Sequence, residues 1–179
     1  MSEELIVRHC APTLANLKTG SLFVCPITDR PSFFSSLRSL NELLVPKGLR
    51  ALPLRIREHS ALVYLYRPSR LKKDLEDPAA IKILQDHGYG CYGKCLPKLI
   101  ERIRASEEFP HEIGLFLGYP PEDVQGFLDH RPCKCSGCWK VYGDENKAKK
   151  TFDLYKKCER VYCQQLARGI DIKRLTVAG

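Results

Sequence analysis

Long apolar runs are what this chain most plainly lacks. Stretches such as 61–66 and 113–117 fall far short of the roughly 20 residues needed to cross a bilayer, so no membrane association is expected. The opening MSEELIVRHC carries acids where a secretory leader carries a basic stretch followed by an apolar one, so a cytoplasmic location is expected. There is no internal repeat and no low-complexity linker, and a single domain over 1–179 is the expectation. With 44% apolar and 28% charged residues the composition is that of an ordinary globular chain.

Other signatures are missing as well. The glycines of 88–93 do not sit between a strand and a helix, so they make a flexible connection and not a phosphate cradle. No nucleic-acid reader motif accompanies the net charge of +8, and the basic clusters at 67–73 and 147–157 read as solvated helix faces. A basic nucleic-acid-binding module is therefore a third-ranked reading. Cys25-Pro26 is a dipeptide seen at haem sites, but two residues establish neither a pocket nor an axial ligand.

Hydrophobic periodicity gives the elements. Residues 12–18 form a short helix with Pro12 in its first turn, followed by an extended stretch at 21–25. Pro31 opens a helix through Phe33, Leu37, Leu40 and Leu44, which Pro46 and Gly48 end. Alternation over 49–57 followed by the more apolar stretch 61–66 predicts a hairpin, with Pro53 marking an edge strand. Short helices follow at 69–75 and from Pro78 to about His87, then an amphipathic helix through Cys95, Leu99 and Ile103.

Residues 111–118 read as a buried strand, Pro120-Pro121 starts a short helix, and 139–142 read as another strand. Gly118-Tyr-Pro-Pro121 is a rigid turn placed to wall a cleft beside His111, and Trp139 reads as packing. Asp144 caps a long last helix, with Ala148, Phe152, Tyr155, Tyr162 and Leu166 on one face and Gly169 at its end. The expected class is α+β: a small, mainly antiparallel sheet packed with helices, ending in a long C-terminal helix.

Three stretches carry a likeness: HCAPTLA at 9–15, FPHEIGLFLGYPPEDV at 109–124 and CWKVYGD at 138–144. Together they resemble a bacterial family, met mostly in anaerobes, to which no function is assigned. That resemblance spans nearly the whole chain and implies no catalytic residue. Separately, HEIGLFLG at 111–118 is similar to the strand bearing the catalytic histidine in the NlpC-type and papain-like cysteine peptidases. It implies a papain-like arrangement in which the nucleophile comes earlier in the chain, at the start of a helix, as Cys10 would.

Two chemical constellations follow. In the first, Cys10 sits two residues before Pro12 at a helix N-terminus, where the dipole stabilises a thiolate. His111 or His9 would be its base, and Glu112, Asp123 or Asp144 would orient the imidazole, as in a cysteine-dependent hydrolase or transferase. The plainer alternative makes Cys10 a small core residue and His111 the start of a strand.

In the second, nine cysteines in a reducing compartment suggest ligands or redox groups more than a disulfide framework. Cys133, Cys135 and Cys138 form a C-x-C-x-x-C loop in which Gly137 permits a turn. Either Cys158 or Cys163 from the last helix would be the fourth ligand of a zinc ion or an iron–sulfur cluster. Cys91 and Cys95 form a second pair, and Cys135 with Cys138 could be redox-responsive. This reading makes the chain a metal-binding or redox-linked accessory protein.

Overall fold

Ser2 followed by two glutamates is a helix start, and the first helix begins there. In the computed structural model, which describes residues 1–179 apart from the side chain of Tyr92, α1 runs Glu3–Leu14. The Ser2 hydroxyl accepts the Leu5 N–H, and Glu3 and Glu4 sit at the positive end of the dipole. Pro12 lies in the last turn of α1 and does not open a new helix, so the expected start at Pro12 is corrected to Glu3, about two and a half turns earlier. β1 (Gly20–Pro26) follows, then α2 (Arg30–Leu44), whose cap Asp29 accepts the Ser32 N–H with Pro31 in the first turn. A 3₁₀ turn at Val45–Lys47 ends at Gly48, which takes φ +79°, a conformation costly for any residue with a Cβ.

β2 (Arg50–Ile56) and β3 (Ser60–Tyr66) form the expected hairpin. The antiparallel sheet has the order β1-β3-β2, so the most apolar strand is central and Pro53 lies on an edge, where a missing N–H is tolerated. The register of β2 shifts between Pro53 and Arg55. Asn41 of α2 covers the open edge at Ala51: its Nδ2 donates to the Ala51 carbonyl and its Oδ1 accepts the Ala51 N–H, both at 2.8 Å. Ile6, Val7 and Leu14 of α1, Phe33 and Leu37 of α2, and Val63 and Leu65 of β3 bury their side chains in one core.

Internal contacts divide the chain into two units, residues 1–69 with 155–179 and residues 70–154. Nothing in composition marks this division. The first unit is closed by Arg67, which is 1% exposed. Its Nε donates to the Thr13 carbonyl at 2.8 Å, and its Nη2 donates to those of Leu14 at 2.9 Å and Val177 at 2.7 Å. A guanidinium thus occupies the negative end of α1 and satisfies carbonyls that the helix leaves open. Arg67 is therefore a buried keystone and not part of the solvated face expected of 67–73.

The second unit carries most of α3 (Pro68–Leu75), then α4 (Pro78–Asp86), α5 (Tyr92–Ala105), α6 (Ile113–Phe116) and α7 (Pro121–Leu128). A short hairpin follows, β4 (Cys135–Ser136) with β5 (Lys140–Val141). α8 (Glu145–Ala167) starts in this unit and ends in the first, capped by Asp144 accepting the Lys147 N–H at 3.0 Å. α9 (Ile172–Leu175) belongs to the first unit.

The class is α+β, with small antiparallel sheets and a long helix near the end. The expected strand at 111–118 is instead a turn and the short helix α6. A short buried apolar run has the same appearance in either state. Here Gly118 at φ +76° closes the helix, and Gly114 lets α6 approach α7, since a Cβ there would lie 2.8 Å from Val124 Cγ2. The 139–142 strand pairs within its own hairpin, and the β1-β3-β2 sheet lies in the other unit.

Candidate functional site

The second unit contains a pocket walled by α6, α7 and the β4–β5 hairpin. The residue that assembles it is Asp123, in the first turn of α7 and 3% exposed. Its Oδ2 accepts the Trp139 indole N–H at 2.7 Å, and its Oδ1 accepts the backbone N–H groups of Tyr142 at 2.6 Å and Gly143 at 2.8 Å. Three donors on one carboxylate satisfy a buried charge that would otherwise be costly, and they fasten the hairpin to α7.

The hairpin then packs on aromatic rings. Trp139 stacks on Tyr119 with centroids 4.9 Å apart and meets Phe152 edge-on at 4.5 Å. Gly137 is needed for this approach, because a Cβ there would overlap the Phe152 ring. Gly126 serves α7 in the same way against Tyr142.

The pocket opens to solvent on one side and has a volume of about 210 Å³. Its walls are largely apolar: Ile113, Gly114 and Val124 with the rings of Tyr119, Phe127 and Trp139. His111 and Lys140, both exposed, stand at its edge. The His111 ring meets Phe127 edge-on at 4.8 Å, and Lys140 Nζ lies 5.1 Å from the centre of the same ring. Tyr119 and His111 do share a cleft, as the rigid turn at 118–121 led one to expect. Burial, with Cys138 nearby, pushes the Tyr119 hydroxyl up to about 12, so it stays a neutral donor, and it donates to the Cys138 carbonyl at 3.3 Å.

The residues of the thiol constellation are placed differently from expectation. Cys10 lies in the second half of α1, not at its start, and is fully buried in the core of the first unit. Desolvation raises its thiol to about 12, opposed only partly by Lys18 and by a hydrogen bond with Ser21. His9 is exposed on the same helix. Cys10 and His111 belong to different units.

Glu112, 1% exposed, does not orient His111. Its Oε1 accepts the Tyr89 hydroxyl and pairs with Arg102 Nε, each at 2.8 Å. Burial and the Glu112 charge both raise the Tyr89 hydroxyl. Asp123 is occupied by the hairpin and Asp144 by the α8 cap. The His-bearing strand implied by the peptidase likeness is absent, its place taken by α6.

All nine cysteines are thiols. Cys133 and Cys138 are exposed and Cys135 is half-buried on β4 opposite Val141. Among the described residues no three His, Cys, Asp or Glu side chains come together closely enough to hold a metal ion. Cys158 is buried and raised to about 11 by desolvation, with Glu159 adding to the shift. Cys163 is raised mainly by burial, and both lie in the first unit, whereas the loop cysteines lie in the second. Cys95 is buried, its thiol directed at the carbonyls of Gly90 and Cys91. Cys25 is also buried, with its thiol toward the Pro26 carbonyl.

Among the described residues no helix is long and apolar enough to cross a membrane. Several basic residues of the helices are paired along their own faces, Lys149 with Glu145, Lys72 with Glu76 and Lys98 with Glu101. The pocket walls Trp139, Phe127 and Lys140 were not recognisable as a site from sequence. The aromatic content of 118–142 was the available signal, and it reads equally well as core.

No curated protein and no solved structure matches the chain. Residues 6–176 match a family described as a protein of unknown function (DUF3793), and the chain belongs to that family.

Proposed function

We propose that the second unit is a binding module for a small, flat, largely apolar ligand, held in the pocket between α6, α7 and the β4–β5 hairpin. The observation that carries this reading is a cavity of about 210 Å³ with aromatic walls, whose one buried carboxylate is already engaged by three hairpin donors. An apolar cavity of about 150 Å³ accepts benzene, so this volume suits one ring with a substituent. Preformed, mostly apolar pockets with a few polar groups at the edge are the usual form of small-molecule sites. The sequence adds support: every lining residue except Phe127 falls within the 109–124 and 138–144 stretches that carry the family likeness.

Binding suits this geometry better than catalysis by Cys10. At pH 7 a thiol raised to about 12 is ionised in only about one molecule in 10⁵, and a buried core position gives a substrate no access. The chain has a single tryptophan, and it lines the pocket, so its indole N–H resonance is an unambiguous reporter. Titration with small aromatic compounds should move that resonance in a saturable way. A broad set of flat fragments that leaves it unmoved refutes the reading.

The exposed thiols of the hairpin favour a second role beside the first. Cys133, Cys135 and Cys138 lie within six residues, and two of them face solvent. A thiophilic metal such as zinc, or an iron–sulfur cluster, would have to draw their sulfurs together by rearranging the hairpin. Elemental analysis of protein purified without oxygen tests this. Stoichiometric zinc or iron that is lost in a Cys135→Ser, Cys138→Ser double variant supports the role, and less than about 0.1 equivalent of metal removes it.

A further inference from the structure

The edge of the pocket is not electrically neutral, and its asymmetry points to the kind of substituent the ligand carries. Resting on the binding reading above, we infer that the ligand bears an anionic group, a carboxylate or its equivalent, attached to the ring and received by Lys140 with His111 beside it.

Three observations lead there. Lys140, exposed on β5, keeps its ammonium 5.1 Å from the Phe127 centroid, beside the pocket it lines. A cation over a phenyl face is weakly held, so an incoming anion can exchange that contact for an ion pair without moving the backbone. His111 touches the same ring from its edge, so the two nitrogen-bearing side chains converge on one wall. Finally, the carboxylate lining the pocket is not available to a cationic ligand. Asp123 already accepts the Trp139 indole and two backbone N–H groups, and a ligand ammonium would have to compete with them. A ring seated among Tyr119, Phe127 and Trp139 therefore meets donors where it emerges and no vacant acceptor carboxylate.

Three probes of one shape separate the possibilities: benzoate, benzamide and benzylamine, titrated into the full chain and followed at the Trp139 indole N–H. Benzoate should bind about tenfold more tightly than the other two, a difference typical of one charge-assisted contact. Lys140→Met keeps the apolar stem on an exposed strand position, so the fold should be retained. It should abolish the benzoate advantage over benzamide, bringing the ratio of their affinities to about one. Equal binding of all three refutes the anionic inference while leaving the pocket reading intact. Tightest binding by benzylamine also refutes it, and shows that Asp123 sets the charge preference. If none of the three moves the Trp139 resonance at saturating concentration, the anionic inference falls, and the same silence across the broad fragment set removes the pocket reading as well.

Discussion

Replacing Asp123 by asparagine tests the assembly of the pocket more sharply than deleting it. The carboxylate uses its two oxygens differently: Oδ1 takes the Tyr142 and Gly143 N–H groups, and Oδ2 takes the Trp139 indole. In Asp123→Asn the amide oxygen can keep the two backbone donors, but the NH₂ group then faces the indole N–H, donor against donor. Leaving a half-buried indole donor unsatisfied costs about 1–3 kcal/mol, and the two remaining bonds lose their charge assistance. Asp123→Ala strips all three, with an expected loss of about 3–5 kcal/mol, since Tyr142 and Gly143 are only partly buried and can recruit water. Urea unfolding followed by fluorescence reads the effect at the lone tryptophan, and the asparagine midpoint should fall by about 1–2 M. Hydrogen exchange supplies the second readout: the Tyr142 and Gly143 amides should stay protected in the asparagine variant and exchange freely in the alanine one. An asparagine variant with an unchanged midpoint and unchanged emission would refute the claim that Asp123 fastens the hairpin.

Further outcomes follow from the same geometry. Brief alkylation of native protein at pH 7.5 should modify the exposed Cys91, Cys133 and Cys138 first and Cys10 only after unfolding, and peptide mapping that finds Cys10 labelled as fast as Cys138 contradicts its burial. Cys10 and Cys158 hold their protons to about 12 and about 11 in the fold, against 9.0 for an ordinary thiol. Their contribution is therefore complete below pH 9 and is lost as pH rises toward 11–12. Tm should fall by roughly 10 °C or more between pH 8 and 11, and a flat profile would refute this. Arg67→Lys keeps the charge but loses the fork that reaches Thr13, Leu14 and Val177, so calorimetry should show a destabilisation of about 2–4 kcal/mol.

The first unit was largely legible because its elements announce themselves locally. Alternation over 49–57, a turn, and the more apolar run 61–66 read as a hairpin, and Pro53 named the edge strand before any pairing was known. Asp29, Pro31 and Gly48 mark the ends of α2 by chemistry that acts within three residues. The errors came where one local signal overrode another. Pro12 reads as a helix start, yet Ser2 with Glu3 and Glu4 had already supplied one, and the packing of α1 in the core outweighs the lost bond and the crowding that a proline in its last turn brings. That single misplacement put Cys10 at a dipole it does not see. Residues 111–118 were undecidable by period, and the helix was selected by close packing at Gly114, whose contacts with Val124 and Tyr119 are tertiary. β4 and α9, two and four residues long, are too short to leave any period at all.

The stretches that carry the family likeness acquire a physical reading once their contacts are known. HCAPTLA places Cys10 in the core and brings Thr13 and Leu14 to Arg67, which ties α1 to the residues after α9. FPHEIGLFLGYPPEDV supplies one wall of the pocket, and its Asp123 takes hold of Trp139, Tyr142 and Gly143, all three from CWKVYGD. The second and third stretches are thus two halves of one clamp, joined by hydrogen bonds that span 16 to 20 residues and leave no trace in local periodicity. Stability alone does not require what the clamp encloses. A buried carboxylate with three donors can be replaced by well-packed apolar side chains at little cost, and an aromatic cluster built only for stability would be expected to close on itself. This one instead surrounds about 210 Å³ and sets a histidine and a lysine at the mouth. Volume left open beside a rigid clamp is what a ligand requires and a core does not, and this is the physical argument for the proposed binding role of the second unit.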